Sequence, residues 1–175
     1  MRDILRSVLI GEGAVSDQHF LRGLSDEPFG ILRADHLYIE SCFEQYESDI
    51  GEVKLPNLAG KILQIISMHV DLEEDVLYPV YLRIQMDAAH YRLCMAEHSA
   101  ERRLAENIAF ADPGDDGLEL MMNALARRTR AHIRKEEGPD GVWALLRQSR
   151  IDLHRLGRCL QHHRDNHLAR HYLHS

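Results

Sequence analysis

The chain has 175 residues, of which 45% are hydrophobic and 28% are charged, with eleven glycines and five prolines. These proportions exclude collagen-like, low-complexity and intrinsically disordered proteins, because they supply enough apolar surface for a buried core. The net charge of −7 argues against general nucleic-acid binding, and no apolar run approaches the roughly 20 residues of a membrane helix. We therefore expect a cytoplasmic single-domain protein with no nucleic-acid or membrane partner.

The numbers and positions of the cysteines and histidines limit which kinds of functional site the chain could form. The three cysteines, Cys42, Cys94 and Cys159, are odd in number and far apart, which predicts neither a disulfide framework nor a zinc site built on paired cysteines. Twelve histidines are present, and six of them lie in residues 150–175, a segment that also carries five arginines against two aspartates. The chain is therefore acidic over most of its length, with a basic, histidine-rich C-terminal segment.

Apolar residues recur every three or four positions almost throughout, which predicts an all-α fold. The predicted helices span residues 25–51, 56–83 with a bend at Pro79, 87–111 with Asp87 as its cap, and 118–137. Four long helices with short connections are typical of an up-down-up-down four-helix bundle. We assign the bundle to residues 25–148. A short N-terminal helical extension covers residues 1–24, and an additional C-terminal helix covers residues 149–175 of the same domain, within a helical pattern that begins at Val142.

Two helices direct a histidine and a glutamate, four residues apart, toward the core. At 100° per residue, His69 and Glu73 lie at the centre of an apolar stripe, and Asp71 and Asp75 lie on the opposite face. The fourth helix repeats this pattern with its own pair, and the first and third helices each add one inward histidine. The additional candidates are His132, Glu136, His36 and His98.

Six inward ionisable side chains need partners, because each unpartnered buried polar group costs about 1 to 3 kcal/mol. A single core histidine is more often hydrogen-bonded to a neighbour, but the coincidence across four helices favours a metal site. Four imidazoles and two carboxylates are too many for one tetrahedral zinc, whereas mixed nitrogen and oxygen ligands suit iron, or alternatively manganese. If both carboxylates bridge and an oxo or hydroxo group is shared, the set supplies most of the ligands of two octahedral ions, and exogenous ligands would occupy the remaining positions.

These residues resemble the hemerythrin-like family, also called the HHE cation-binding domain. The resemblance covers roughly residues 28–148 and is carried by residues 31–36, 69–79, 96–98 and 132–137, of which the second segment, with its Tyr-Pro ending, is the most specific. It implies a four-helix bundle with a non-heme di-iron centre that binds dioxygen or nitric oxide for sensing, storage or delivery. Carried over by position, the implied metal ligands are His36, His69, Glu73, His98, His132 and Glu136.

The chain departs from the family pattern at two places. Cys94 stands where oxygen-carrying hemerythrins have a further histidine, and it is either a thiolate ligand or, as we favour, a small apolar filler. Gly138 and Pro139 replace the usual ending of the fourth-helix motif, which leaves open whether Glu136 or Glu137 is the ligand. Asp35, Glu97 and Glu101 are candidates to support the imidazoles, although solvated surface acids are the commoner role for each.

The sequence supports more than one interpretation of the histidine-rich end and of the function. His163, His167 and His171 share a helical face that either binds metal or, as we favour, belongs to a solvated helix whose positive charge suits an acidic partner or subunit. The main functional alternative is a di-iron redox or iron-repair protein acting on nitric oxide or peroxide. A metal-free interaction module, docking a protein or a second copy through its terminal helices, is the third reading. The absence of phosphate-loop and nucleophile motifs favours a metal- and ligand-binding protein over an enzyme.

Overall fold

The structure is a computed structural model that describes residues 27–48, 55–112 and 116–173. Within these ranges it is helical and contains no strand, which confirms the predicted all-α class. Its elements are α1 (Pro28–Ser48), α2 (Leu55–Leu72), a π-helical segment (Glu73–Leu77), α3 (Tyr78–Gln85), α4 (Ala88–Phe110), α5 (Asp116–Glu136), α6 (Val142–Gln148) and α7 (Leu153–Leu173). The predicted N-terminal extension, residues 1–24, lies outside the described residues.

The helices group into two compact units. The first unit comprises the described residues up to Val76 together with those from Asp152 onward, and the second comprises Leu77–Ile151. In the first unit α1, α2 and α7 all pack against one another. In the second unit α3 packs against α4 and α6, while α4 packs against α5. The predicted C-terminal helix is therefore an integral part of the first unit.

The core of the first unit follows from helical periodicity. Its fully buried apolar side chains recur at spacings of three, four and seven residues along α1, and α2 and α7 contribute matching stripes. They include Phe29, Leu32, Ile39 and Phe43 from α1, Ile62 and Ile66 from α2, and Leu156 and Leu160 from α7. Burying each such side chain stabilises the fold by about 1.5 to 3 kcal/mol relative to exposure.

The second unit combines two long helices, α4 and α5, with two short ones, α3 and α6. Trp143 and Leu146 of α6 and Tyr81 of α3 are fully buried, as is Leu125 of α5. Its second helix begins where the sequence predicts, because the side chain of Asp87 accepts hydrogen bonds from the N–H groups that follow it, at 3.1 and 2.9 Å.

The bend predicted at Pro79 takes a different form. The irregularity is the π-helical segment Glu73–Leu77, which ends two residues before the proline. Pro79 has no N–H to donate to the carbonyl four residues earlier, and its ring crowds that carbonyl. A wider turn directly before the proline accommodates both effects. Glu73, a predicted metal ligand, is thus the first residue of the irregular turn, and such turns are frequent at functional sites.

The helical pattern predicted to start at Val142 is divided into two helices, α6 and α7. Ser149 ends α6 in an extended conformation, and its hydroxyl donates to the Leu146 carbonyl at 2.6 Å. Asp152 then accepts a hydrogen bond from the N–H of Arg155 at 2.9 Å, as a residue that caps a helix N-terminus does. Local hydrogen bonds by Ser and Asp side chains compete with the helix and explain the break.

Candidate metal centre

All six side chains predicted as metal ligands are buried, as their helical phase predicts. They divide equally between the units, with His36, His69 and Glu73 in the first and His98, His132 and Glu136 in the second. Each unit thus carries two imidazoles and one carboxylate. Their role as ligands remains a prediction.

In the first unit three donor atoms converge. Nε2 of His69 lies 3.0 Å from Nε2 of His36 and 3.1 Å from Oε1 of Glu73. The two imidazole rings meet edge to face with their centroids 4.6 Å apart, and one ligand atom of each of the three residues lies within 4.8 Å of the others. Two ligands about 2.1 Å from one ion, at about a right angle, lie roughly 3 Å apart. The spacing therefore suits a shared metal ion.

A buried carboxylate and a buried cation lie behind His69. Its Nδ1 is 3.5 Å from Oδ2 of Asp35, and the same oxygen forms an ion pair with Arg164 of α7. Asp35 is 2% exposed and Arg164 is 0% exposed, so Asp35 is not a solvated surface acid, which is the commoner role of such a residue. The guanidinium also donates to the carbonyl of Ile31 at 3.2 Å.

The charges around His69 favour a cation on its ring. Burial lowers the pKa of His69, but the negative charge of Glu73 and the contacts with Asp35 and Glu73 outweigh it and raise the pKa from 6.5 to about 10. Positive charge at this position is therefore strongly stabilised. A metal ion on Nε2 and a proton on that atom compete for the same stabilisation.

In the second unit a phenol joins the imidazoles. The Tyr78 hydroxyl lies 3.4 Å from Nε2 of His98 and 3.5 Å from Nε2 of His132, and these two nitrogens are 3.4 Å apart. The Tyr78 ring also stacks on that of His98 with centroids 5.2 Å apart. Oε2 of Glu136 lies 3.9 Å from Nε2 of His132. The set is looser than that of the first unit but places the same donor types together.

A carboxylate and a cation lie behind His132 as well. Its Nδ1 is 3.7 Å from Oε2 of Glu97, and Glu97 forms an ion pair with Lys135. The hydrogen bond from His132 lowers the pKa of Glu97, and the contact with Lys135 adds to this against the effect of burial, to about 2. Glu97 is therefore an anion at any physiological pH. Glu101, the third carboxylate predicted to support an imidazole, is buried on α4.

Side-chain burial at the end of α5 indicates which of Glu136 and Glu137 is the candidate ligand. Glu136 is 3% exposed whereas Glu137 is half-buried, which favours Glu136 as the inward carboxylate. A turn follows, in which the N–H of Gly141 donates to the carbonyl of Gly138 at 3.0 Å. A Cβ on Gly141 would lie 2.2 Å from the Glu136 carbonyl oxygen, so the close return of the chain requires glycine here.

A cavity of about 340 Å³ opens beside this part of the second unit. His132, Glu136 and Glu97 contribute to its wall, and so do Cys94 and Tyr78. Cys94 is buried in the wall, 6% exposed. A small molecule in this cavity would meet the candidate ligands and their supporting carboxylate.

The histidine-rich helix α7 is not a fully solvated helix. Nε2 of His163 lies 3.2 Å from Oδ2 of Asp75, and Nδ1 of His167 lies 3.6 Å from Oδ2 of Asp71. The acidic face that the sequence assigns opposite the core, formed by Asp71 of α2 and Asp75 of the π-helical segment, is thus contacted by α7, because two histidines spaced four apart match two aspartates spaced four apart. The side chain of His171 lies outside the described residues.

Two residues of the site were not predicted. Arg164 was missed because a lone arginine in a basic, polar segment carries no sequence signal of burial; its spacing of four and eight from Leu160 and Leu156 is the available hint. Tyr78 was noted only as part of the Tyr-Pro ending. Its position directly after the π segment, with a side chain that is 1% exposed, explains its place beside the histidines.

Comparison with known proteins places these residues within a known domain family. The family profile of the hemerythrin HHE cation-binding domain matches residues 27–139. A curated relative from Nostoc sp. (strain PCC 7120), described as a DNA nickase, is 26% identical over 107 residues, which are 61% of this chain and 30% of that protein. The chain thus spans less than a third of the length of this relative. No solved structure shows a significant match.

No helix in the described ranges is both long and apolar enough to cross a membrane. The profile match covers well over half of the chain and includes all six predicted ligands. The chain therefore belongs to the hemerythrin HHE cation-binding domain family.

Proposed function

We propose that this protein is a cytoplasmic di-iron protein with an up-down-up-down four-helix bundle, whose metal ligands are the six buried histidines and glutamates described above. The observation that carries the proposal is the convergence of His36, His69 and Glu73 at 3.0 and 3.1 Å in a site from which water is excluded. The second unit contributes the same donor types, two imidazoles and one carboxylate. Together they form the six-residue set that the family resemblance implies.

The donor chemistry fits iron. Imidazole nitrogen and carboxylate oxygen are ligands that ferrous and ferric iron share with manganese, and no cysteine lies among the six. The raised pKa of His69 shows that the surrounding carboxylates favour positive charge. Every member is at least 94% buried, as expected of a closed metal site in which a cation offsets the charge of the two buried carboxylates.

Residues around the candidate ligands indicate how the site would bind a metal and a small ligand. Oxygens of Asp35 and Glu97 lie 3.5 and 3.7 Å from the Nδ1 atoms of His69 and His132, where a carboxylate favours a ring proton on Nδ1 and leaves Nε2 for a metal. When bound, an iron pair supplies reversible electron exchange with a small ligand, for which we propose dioxygen or nitric oxide. The cavity beside His132 and Glu136 provides a route and space for that ligand. We place the protein in sensing, storage or delivery.

One observation favours the redox or iron-repair alternative. The Tyr78 hydroxyl, within 3.5 Å of two candidate ligands, is positioned to donate a proton to a ligand reduced in the site. Rapid reduction of nitric oxide or peroxide in stopped-flow measurements supports that reading, whereas reversible oxygenation supports the carrier or sensor role.

The name of the Nostoc relative does not transfer. It describes a protein of which this chain matches 30%, and the net charge of −7 argues against a general DNA-binding surface. We therefore leave DNA cleavage outside the proposed function.

The proposal is tested by loading the purified protein with ferrous iron under anaerobic conditions. We expect about two iron atoms per chain, a higher thermal midpoint, and a visible ferric absorbance on admitting air that azide alters. A metal-free bundle predicts unchanged thermal stability in ferrous iron, and that result would contradict the proposal.

A further inference from the structure

We infer that Arg164, on the C-terminal helix, is a positioning residue for the metal site: it holds Asp35 against His69 and so makes α7 part of the site. The inference rests on the proposed metal-binding function. It goes beyond the family match, which ends at residue 139, whereas α7 spans Leu153–Leu173.

The first step is the geometry of one oxygen atom. Oδ2 of Asp35 forms an ion pair with the Arg164 guanidinium and lies 3.5 Å from Nδ1 of His69. On its other side the same imidazole presents Nε2 to His36 and Glu73, at 3.0 and 3.1 Å. Arginine, aspartate, histidine and the candidate metal position thus form one continuous chain of contacts.

The second step is that Arg164 is anchored to the backbone as well as to the carboxylate. Its Nη2 donates to the carbonyl of Ile31, at 3.2 Å, one helical turn before Asp35 on α1. A guanidinium that contacts two points of one helix holds the carboxylate in a defined direction, because its donors are fixed in a plane. Both contacts come from Nη2, whose two N–H groups have fixed directions, whereas the N–H groups of a lysine ammonium rotate at the end of a flexible chain.

The third step concerns the cost of burial. Arg164 is 0% exposed and Asp35 is 2% exposed. A buried ion pair is seldom more stabilising than a pair of apolar side chains of the same volume, so stability by itself does not explain this one. The contact between Asp35 and His69 suggests a function for the ion pair, because a carboxylate beside Nδ1 sets the tautomer and orientation of a metal-binding imidazole.

The inference predicts that Arg164→Met lowers ferrous iron affinity by about 10- to 100-fold, the range typical for loss of a group that supports a metal-bound histidine. Arg164→Lys keeps the charge but loses the fixed N–H directions of the guanidinium, and we expect it to recover only part of the loss. Arg158→Met, on the exposed side of the same helix, removes an identical charge and is the matched control, with affinity within about twofold of the parent.

A double-mutant cycle separates positioning from a general structural role. Affinity is measured by anaerobic competition titration of ferrous iron into protein that circular dichroism shows to be folded. In the Asp35→Asn background, where no carboxylate remains to be held, Arg164→Met should change iron affinity by less than about threefold. If Arg164→Met alone folds poorly, Arg164→Lys, which keeps the buried charge, replaces it in both backgrounds of the cycle.

The outcomes are distinct. If the parent protein does not bind ferrous iron, the proposed function is wrong. If the parent binds iron and Arg164→Met lowers its affinity equally in both backgrounds, or not at all, Arg164 does not act through Asp35 and the inference is overturned. A large loss in the parent background and almost none in the Asp35→Asn background supports it.

Discussion

The two units build the same arrangement behind a candidate metal ligand in two different environments. In the first unit, Asp35 contacts His69 and Arg164 contacts Asp35. In the second unit, Glu97 lies beside His132 and a lysine contacts Glu97. We call these the buried relay (His69, Asp35, Arg164) and the outer relay (His132, Glu97, Lys135). The cation of the buried relay is 0% exposed, whereas the side chain of the lysine is 61% exposed.

The difference in burial between the two cations indicates how much each relay contributes to metal binding and stability. Charges interact more strongly in the protein interior than in water, where a pair at the surface is worth only about 0 to 1 kcal/mol. We therefore expect the buried relay to fix the orientation of His69 more firmly than the outer relay fixes that of His132. We expect variants of the buried relay to have larger effects on metal binding and stability than matching variants of the outer relay.

The largest effect is expected when a ligand is removed. His69→Ala and His132→Ala should each lower ferrous iron affinity by roughly 100-fold or more, since loss of a supporting group alone costs about 10- to 100-fold. Iron content per chain and a competition titration measure this. His154→Ala, at an exposed position of α7, is the control and should retain full iron content. If the His69→Ala/His132→Ala double variant keeps the parent's iron content and iron-dependent thermal shift, these histidines are not ligands.

A smaller effect, and one that compares the relays directly, comes from neutralising the two carboxylates. Asp35→Asn leaves Arg164 without its buried counter-charge, so we expect a loss of about 3 to 5 kcal/mol in the free energy of unfolding. Glu97→Gln, at a side chain that is 24% exposed, should cost at most about 1 kcal/mol. Urea denaturation of the iron-free proteins measures both. Equal losses would show that burial does not distinguish the relays.

The smallest effect is expected at the outer cation. Lys135→Met removes an exposed charge whose pairing with Glu97 is screened by water, and iron affinity should change by less than about threefold. Raising the salt concentration to 1 M, where charges are screened within about 3 Å, should remove even that difference between Lys135→Met and the parent. A tenfold change, or one that persists in 1 M salt, would show that the outer relay acts as strongly as the buried one.

Periodicity in the sequence determines the class and the candidate ligands. Apolar spacing predicts helices, and the same spacing places His69 and Glu73 on the buried face, because a helix fixes the direction of every side chain relative to its neighbours. The Asp87 cap is equally local and is confirmed. Each of these predictions needs only residues within one helix.

Tertiary structure alone decides what lies behind the ligands. Arg164 is separated from Asp35 by 129 residues, and its segment has the composition of a solvated helix, so no local pattern predicts its burial. The pairing of His163 and His167 with two aspartates of another helix was missed for the same reason. The sequence by itself determined which residues face inward; packing between distant helices decided which charges support them, because a long-range ion pair depends on helix positions that no single helix encodes.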